Sequence, residues 1–379
     1  MNICMLSPTH EMWDPRVVMR ESCSLVKAGH RVALVAMSNE SREFVEGVEL
    51  LPAPKVNTSS RWQRLLAMGR VYCLGRKWPA DVYHAHEVES LAVGILLKWR
   101  TGAKLIWDSH ECFQFTAARN LYGWKAKLVT AFVARILRWM SKFADHIIVV
   151  SFSNERFYRQ FCGRDDVTII HNSPSPGLFV CDNKPQDAAI TITNCGRLGI
   201  NRGMMQLLEA LAIVKEKTPV KFMHIGTFAR PDMELKQFER KVKDLGLENE
   251  TEVTGWVSYK TMAQMLNRGS IGLVTHQPTP NNYSTLHNRT FSYMCTGQAV
   301  IGPKGSDTEQ LIRETNCGLA VDMTDPQVLA EAMIYLIENP ENCKQMGLNG
   351  RKAIEETFGW HIMEKLLWAI YEDLEQYPK

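Results

Sequence analysis

Residues 189–217 read AITITNCGRLGINRGMMQLLEALAIVKEK, and their order sets the architecture. Ala189 to Asn194 reads as a strand. Gly196, Gly199 and Gly203 interrupt it, and Met204 to Lys217 reads as a helix. Working outward, the alternation continues in both directions. Downstream come strands at Val220–Ile225, Glu252–Thr254, Ile271–Thr275 and Ala299–Gly302, separated by helical segments. The chain then ends in three helices, at 326–338, 340–357 and 360–374. Upstream, apolar runs at Ile3–Leu6, Val32–Met37, Val82–His84, Lys104–Trp107, His146–Val150 and Val167–Ile170 alternate with helical segments. Strands alternating with helices imply parallel sheets covered on both faces. The string His171-Asn172-Ser173-Pro174-Ser175-Pro176-Gly177 reads as a linker, because proline fixes φ and blocks helix. The expected fold class is therefore α/β, with two Rossmann-like, doubly wound domains facing a central cleft.

A length of 379 residues with 45% hydrophobic and 22% charged residues suits two ordinary globular cores. The ten cysteines are scattered without a C-x-x-C pair, so a reducing compartment is expected and a zinc ribbon is not. The first residues lack a basic, apolar leader, and no apolar stretch is long enough to span a bilayer. A cytoplasmic protein, peripheral at most to the cytoplasmic face of a membrane, is expected. The net charge of +3 divides unevenly: residues 1–172 carry 23 Lys and Arg against 16 Asp and Glu, while the remainder is acidic.

Three groups of residues carry chemistry. Gly196-Arg197-Leu198-Gly199-Ile200-Asn201-Arg202-Gly203 lies between a strand and a helix. Backbone N–H groups at a helix start, with Arg197 and Arg202 beside them, suit a diphosphate without a metal. A glycine turn with two solvated arginines is the plainer alternative. His84-Ala85-His86-Glu87 and Asp108-Ser109-His110-Glu111 stand at two strand ends. No third and fourth metal ligand is evident for the histidine pair, so no metal is expected, and His110 is the candidate to orient or deprotonate a hydroxyl. Finally, residues 61–78 and 119–142 are basic, carry Trp62, Trp78, Trp124 and Trp139, and hold no acid. Such helices either present a solvated face or lie on an anionic membrane. Nothing points to nucleic acid. G-x-S-x-G, H-E-x-x-H, Walker A and G-x-G-x-x-G are absent, which removes support for hydrolase, zincin, P-loop and simple dehydrogenase readings.

The ordered series DPRVVMRESCSLVKAGHRV (14–32), ADVYHAHE (80–87), AKLIWDSHE (103–111), ADHIIVVS (144–151), VTIIHNSP (167–174), GRLGINRG (196–203), GWVS (255–258), HNRTFSYMCTGQAVI (287–301) and FGW (358–360) resembles the family 4 retaining glycosyltransferases of the GT-B fold. The resemblance implies an acceptor-binding domain at 1–172, a linker at 173–183, and a nucleotide-sugar domain at 184–359. It also implies a final helix, 360–379, crossing back to the first domain. Gly196, Arg197, Arg202 and Gly203 would hold the diphosphate, Trp256 and Val257 the base, and Asn288 and Ser292 the donor segment. Asp14, Arg16, His86 and Glu111 would face the acceptor, and His110, Arg197 and Arg202 would act in catalysis. The family's two glutamates fall here at Ser284 and Ser292, so a neutral partner replaces a charged one at the ribose. The implied reaction moves a sugar from a UDP- or GDP-type donor to a glycan or lipid-linked hydroxyl, with no cofactor. An inactive GT-B subunit and a sugar-nucleotide epimerase are the alternatives.

Overall fold

The computed structural model describes residues 1–39, 44–56, 60–179 and 190–376. The chain divides into two compact units. One contains Met1–Asn172 and His361–Lys379, the other Ser173–Trp360. Residues 180–189, which hold Cys181, Ala189 and the end of the expected linker, lie outside the described residues.

The N-terminal unit is built on a sheet whose strands run, edge to edge, Phe44–Val45, Val48–Ala53, Arg31–Met37, Asn2–Glu11, Val82–His86, Lys104–Ser109, His146–Val149 and Val167–Ile169. All pairings are parallel except the short hairpin Phe44–Val45/Val48–Ala53. Helices cover the faces, so the strands are apolar on both sides: Ile3 to Leu6 and Val32 to Ala36 are buried throughout. Asn2–Glu11 lies between Arg31–Met37 on one side and Val82–His86 on the other. The chain order reverses there, and the carboxyl ends of strands flanking such a reversal are where open sheets bind ligands.

The second unit repeats the plan with Thr251–Val253, Lys221–Ile225, Thr191–Cys195, Ile271–Leu273, Ala299–Pro303 and Gly318–Val321, all parallel. Thr191–Cys195 is its reversal strand, and the glycine string follows its carboxyl end directly. Helices Met204–Lys217 and Pro326–Glu338 bury Leu207, Leu211, Leu329 and Met333 in one core with Ile192 and Phe222.

Three strands escape the sequence reading: Phe44–Val45, Val48–Ala53 and Gly318–Val321. Val48–Ala53 contains Pro52, which is tolerated because only a two-residue strand lies beyond it. Gly318 is needed because a Cβ there would stand 1.8 Å from the Val300 carbonyl oxygen. The last helix, Trp360–Gln376, packs within the N-terminal unit. Trp368 Nε1 donates to the Ser24 carbonyl at 2.8 Å, and Tyr371 Oη lies 2.8 Å from His84 Nδ1. No helix among the described residues is long and apolar enough to cross a membrane.

Candidate functional site

In the second unit, the glycines shape the turn that presents the arginines. Gly196 and Gly203 adopt φ of 89° and 76°, the left-handed region open to glycine. A Cβ on Gly203 would stand 2.2 Å from the Thr275 carbonyl oxygen. One tight turn, Ile200–Arg202, then leads into helix Met204–Lys217, whose first N–H groups have no side-chain cap.

Two guanidinium groups converge on this turn, and Arg197 within it adds a third charge nearby. Arg202 Nη1 donates to the Arg197 carbonyl oxygen at 3.2 Å, and Arg289 Nη2 donates to the same oxygen at 2.9 Å. Arg289 Nη1 also reaches Asn194 Oδ1 at 3.3 Å. Among the described residues, no carboxylate lies within ion-pair distance of Arg197, Arg202 or Arg289. Burial lowers the Arg202 pKa, and the neighbouring Arg289 and Arg197 charges lower it further. Two unit charges about 6 Å apart repel by roughly 3 kcal/mol at an effective dielectric of 20. The cluster is thus poised to take an anion. His276 and His287 stack nearby at 3.5 Å and are held neutral by burial first, then by these arginines.

Arg289 was not singled out in the sequence. It stands one residue after Asn288 in helix Asn288–Cys295, and its reach to the glycine string is non-local. Asn288 is exposed, while Ser292 is buried and gives its Oγ to the Asn288 carbonyl at 3.4 Å. Ser284 caps the short helix Pro280–Tyr283. Trp256 is 80% exposed on the loop after Thr251–Val253, and Val257 beside it is half-buried.

In the N-terminal unit, the strand-end residues join a buried polar cluster. Asp14 caps helix Pro15–Ser22, accepting from the Arg16 and Val17 amides at 2.9 and 3.2 Å. That helix is wound as a π-helix, which brings residues five apart together: Arg16 Nε lies 2.8 Å from Glu21 Oε1. Arg16 also grips Asp108 through Nε and Nη2 at 3.1 to 3.2 Å, and donates to the Ile170 carbonyl at 3.0 Å. Burial would raise the Asp108 pKa, but Arg16, His110 and His86 outweigh it and hold the carboxyl well below its usual range. Glu21, equally buried, is raised well above the usual range by burial against the pull of Arg16.

His110 is the member of this cluster that reaches the surface. Its Nε2 lies 2.9 Å from Asp108 Oδ2 and 3.2 Å from His86 Nδ1, and its Nδ1 lies 3.3 Å from Glu87 Oε1. Glu87 has φ of 70°, a conformation that costs a non-glycine residue roughly 1–2 kcal/mol and that aims the strand end at His110. Glu111 is half-buried. Burial raises its pKa while a 2.8 Å hydrogen bond from Thr116 offsets part of that rise. Arg16 and His86 were expected to touch an acceptor. Both lie inside the protein instead, at 3% and 0% exposure, because Asp108 and Glu21 draw them into the cluster. There His86 Nδ1 meets His110 Nε2, and Arg16 holds Asp108, which His110 also touches.

Helix Gly123–Ser141 buries Ala134, Leu137 and Met140 and leaves Trp124, Leu128, Phe132 and Trp139 exposed. Lys125, Lys127 and Arg138 lie to either side of that stripe on the helical wheel, and Arg135 lies within it.

Residues 15–173 match the family model "Glycosyltransferase Family 4", and residues 189–339 match "Glycosyl transferases group 1". Spore coat protein SA of Bacillus subtilis is 25% identical over 181 residues, 47% of each chain. The chain thus spans about half the length of that curated relative. Sucrose-phosphate synthase of Thermosynechococcus elongatus superimposes with a TM-score of 0.79 at 16% identity, over 99% of both chains. HepE of Anabaena, solved in complex with UDP, gives 0.73 at 16% identity over the whole of both chains. With one glycosyltransferase model on each of its two α/β units, the chain belongs to the family 4-type glycosyltransferases of the GT-B fold.

Proposed function

We propose that the protein transfers a sugar from a nucleotide-diphosphate donor to a hydroxyl acceptor on a glycan or lipid-linked glycan, with retention of configuration. The observation that carries this is that Arg202 and Arg289 both donate to the Arg197 carbonyl oxygen beside a helix start with no side-chain cap, with no carboxylate within ion-pair distance of the three arginines among the described residues. A pyrophosphate supplies the missing negative charge. As the glycosidic bond breaks, charge grows on the leaving diphosphate, and fixed cations stabilise that state more than the ground state. Gly203 lets the turn pack against the Thr275 carbonyl and so fixes the helix start that meets the phosphate, Trp256 and Val257 face the base, and Asn288 and Ser292 the ribose. HepE, a fold neighbour, has been solved with UDP-glucose, which supports a uridine donor as the first to be tried.

The acceptor is assigned to the N-terminal unit. His110 meets the acceptor hydroxyl, with Asp14 and Glu111 at its edge and Arg16 and His86 holding it from beneath. Among the described residues no carboxylate is assigned as nucleophile, so attack on the same face as departure is favoured over a covalent glycosyl-enzyme. The exposed Trp and Phe stripe of helix Gly123–Ser141, framed by lysine and arginine, is assigned to peripheral contact with an anionic membrane that carries the acceptor.

Isothermal titration with UDP, GDP and their sugars tests the donor site. Replacing Arg197, Arg202 or Arg289 by Ala removes a charge-assisted contact of about 1.5–3 kcal/mol, so affinity should fall roughly ten- to a hundredfold. Unchanged nucleotide affinity in all three variants would refute the clamp. A second reading, a non-catalytic GT-B subunit, draws on the neutral Ser284 and Ser292. It gains if the nucleotide-sugar binds but is neither hydrolysed nor transferred.

A further inference from the structure

We propose that Glu21, His84, His86 and Asp108 bind a divalent transition-metal ion of the zinc type inside the N-terminal unit. The inference does not rest on the transfer reaction. One donor atom from each residue lies within 4.8 Å of the others, and all four side chains are fully enclosed. His84 Nε2 stands 3.8 Å from Glu21 Oε2, His86 Nδ1 stands 3.9 Å from the same oxygen, and His86 Nδ1 stands 3.4 Å from Asp108 Oδ2. Four ligands on zinc, at bond lengths of about 2.0–2.1 Å, sit about 3.3–3.4 Å from one another. Small side-chain rotations close the difference.

The unpartnered atoms point the same way. Glu21 Oε2 and His84 Nε2 are buried and take no hydrogen bond. His84 Nδ1 lies 2.8 Å from Tyr371 Oη, and in the tautomer with Nδ1 as the donor, Nε2 keeps its lone pair on the side of Glu21. A proton shared between that nitrogen and the carboxylate would draw them to about 2.7–2.9 Å. A gap of 3.8 Å is too wide for a hydrogen bond, and closing it by about 0.4 Å would bring the two atoms to the spacing of ligands on one cation. Tyr371 on His84, and Arg16 with His110 on Asp108, are the outer contacts that orient metal ligands, while His86 Nδ1 would exchange its 3.2 Å contact with His110 Nε2 for the ion. Four protein ligands leave no open position, so the ion would tie helix Pro15–Ser22 to two strand ends rather than activate water. The competing occupant is a proton on Glu21.

Tag-free protein purified without chelator should carry about one zinc per chain by elemental mass spectrometry. Replacement with Co(II) should give the visible absorption of a low-symmetry, four-coordinate site, and chelation should lower the melting temperature. Glu21→Gln, an isostere, should retain at least tenfold less metal. If that variant does not fold, the metal content and Co(II) spectrum of the native chain decide alone. Less than a tenth of an ion per native chain, with no Co(II) band, would overturn the site and leave Glu21 protonated.

Discussion

Arg197 and Arg202 belong to one short string, whereas Arg289 reaches the same carbonyl oxygen from 92 positions away. The first two were legible because a strand, glycines and a helix start place them by local geometry alone. Arg289 was not, since only the folded sheet brings helix Asn288–Cys295 to the turn. Glu21 is the same kind of omission: the histidine pair looked short of ligands until π-winding carried residue 21 beside Arg16. His110, in contrast, was read from its strand end, and its neighbours now define a measurement. Replacing His110 by Ala should cut turnover by roughly 10²–10⁴ while donor affinity stays unchanged. Full activity in that variant would remove His110 from the reaction, and an equal loss in donor affinity would recast it as structural.

Long elements were easier to read than short ones, and the reason is physical: the short helices Phe113–Ala118 and Phe152–Arg156 escaped the pattern as the short strands did. Helix Met204–Lys217 appears with the limits its pattern predicts. Strands of three to six residues carry too few side chains to declare a period, as Val48–Ala53 and Gly318–Val321 show. Helix Gly123–Ser141 adds a feature that patterning could not decide: its exposed residues Trp124, Leu128, Phe132 and Trp139 recur at near-helical intervals on the outer side. A solvated helix needs no such stripe. On vesicles containing anionic lipid at low salt, the protein should sediment with the membrane, and W124A/F132D should weaken partitioning at least tenfold. Equal partitioning of that double variant, or none by the native chain, would assign the stripe elsewhere.

At the level of the whole molecule, each unit buries a neutral histidine that acid must challenge. His171 in the first unit and His224 in the second are each lowered from 6.5 to about 4, by burial foremost. Backbone carbonyl bonds oppose that shift, from Val150 at His171 and from Thr227 and Asn194 at His224, while Arg16 and Arg289 add to it. The unfolded chain takes up a proton on each as the pH falls below 6.5, and the folded chain does not until about 4. Stability is therefore complete above 6.5 and drains between 6.5 and 4, by up to about 1.4 kcal/mol per pH unit per histidine. Melting followed by near-UV circular dichroism across that range should show the decline, and a flat profile would mean these histidines are hydrated. The division into two α/β units was legible from the restart of alternation. Less obvious was how much the first unit relies on the far end of the chain, through Trp368 and Tyr371. During synthesis, that body must wait with its Ser24 and His84 contacts unmade until residues 368 and 371 have followed the whole of the second unit, so the second-encoded unit can mature first.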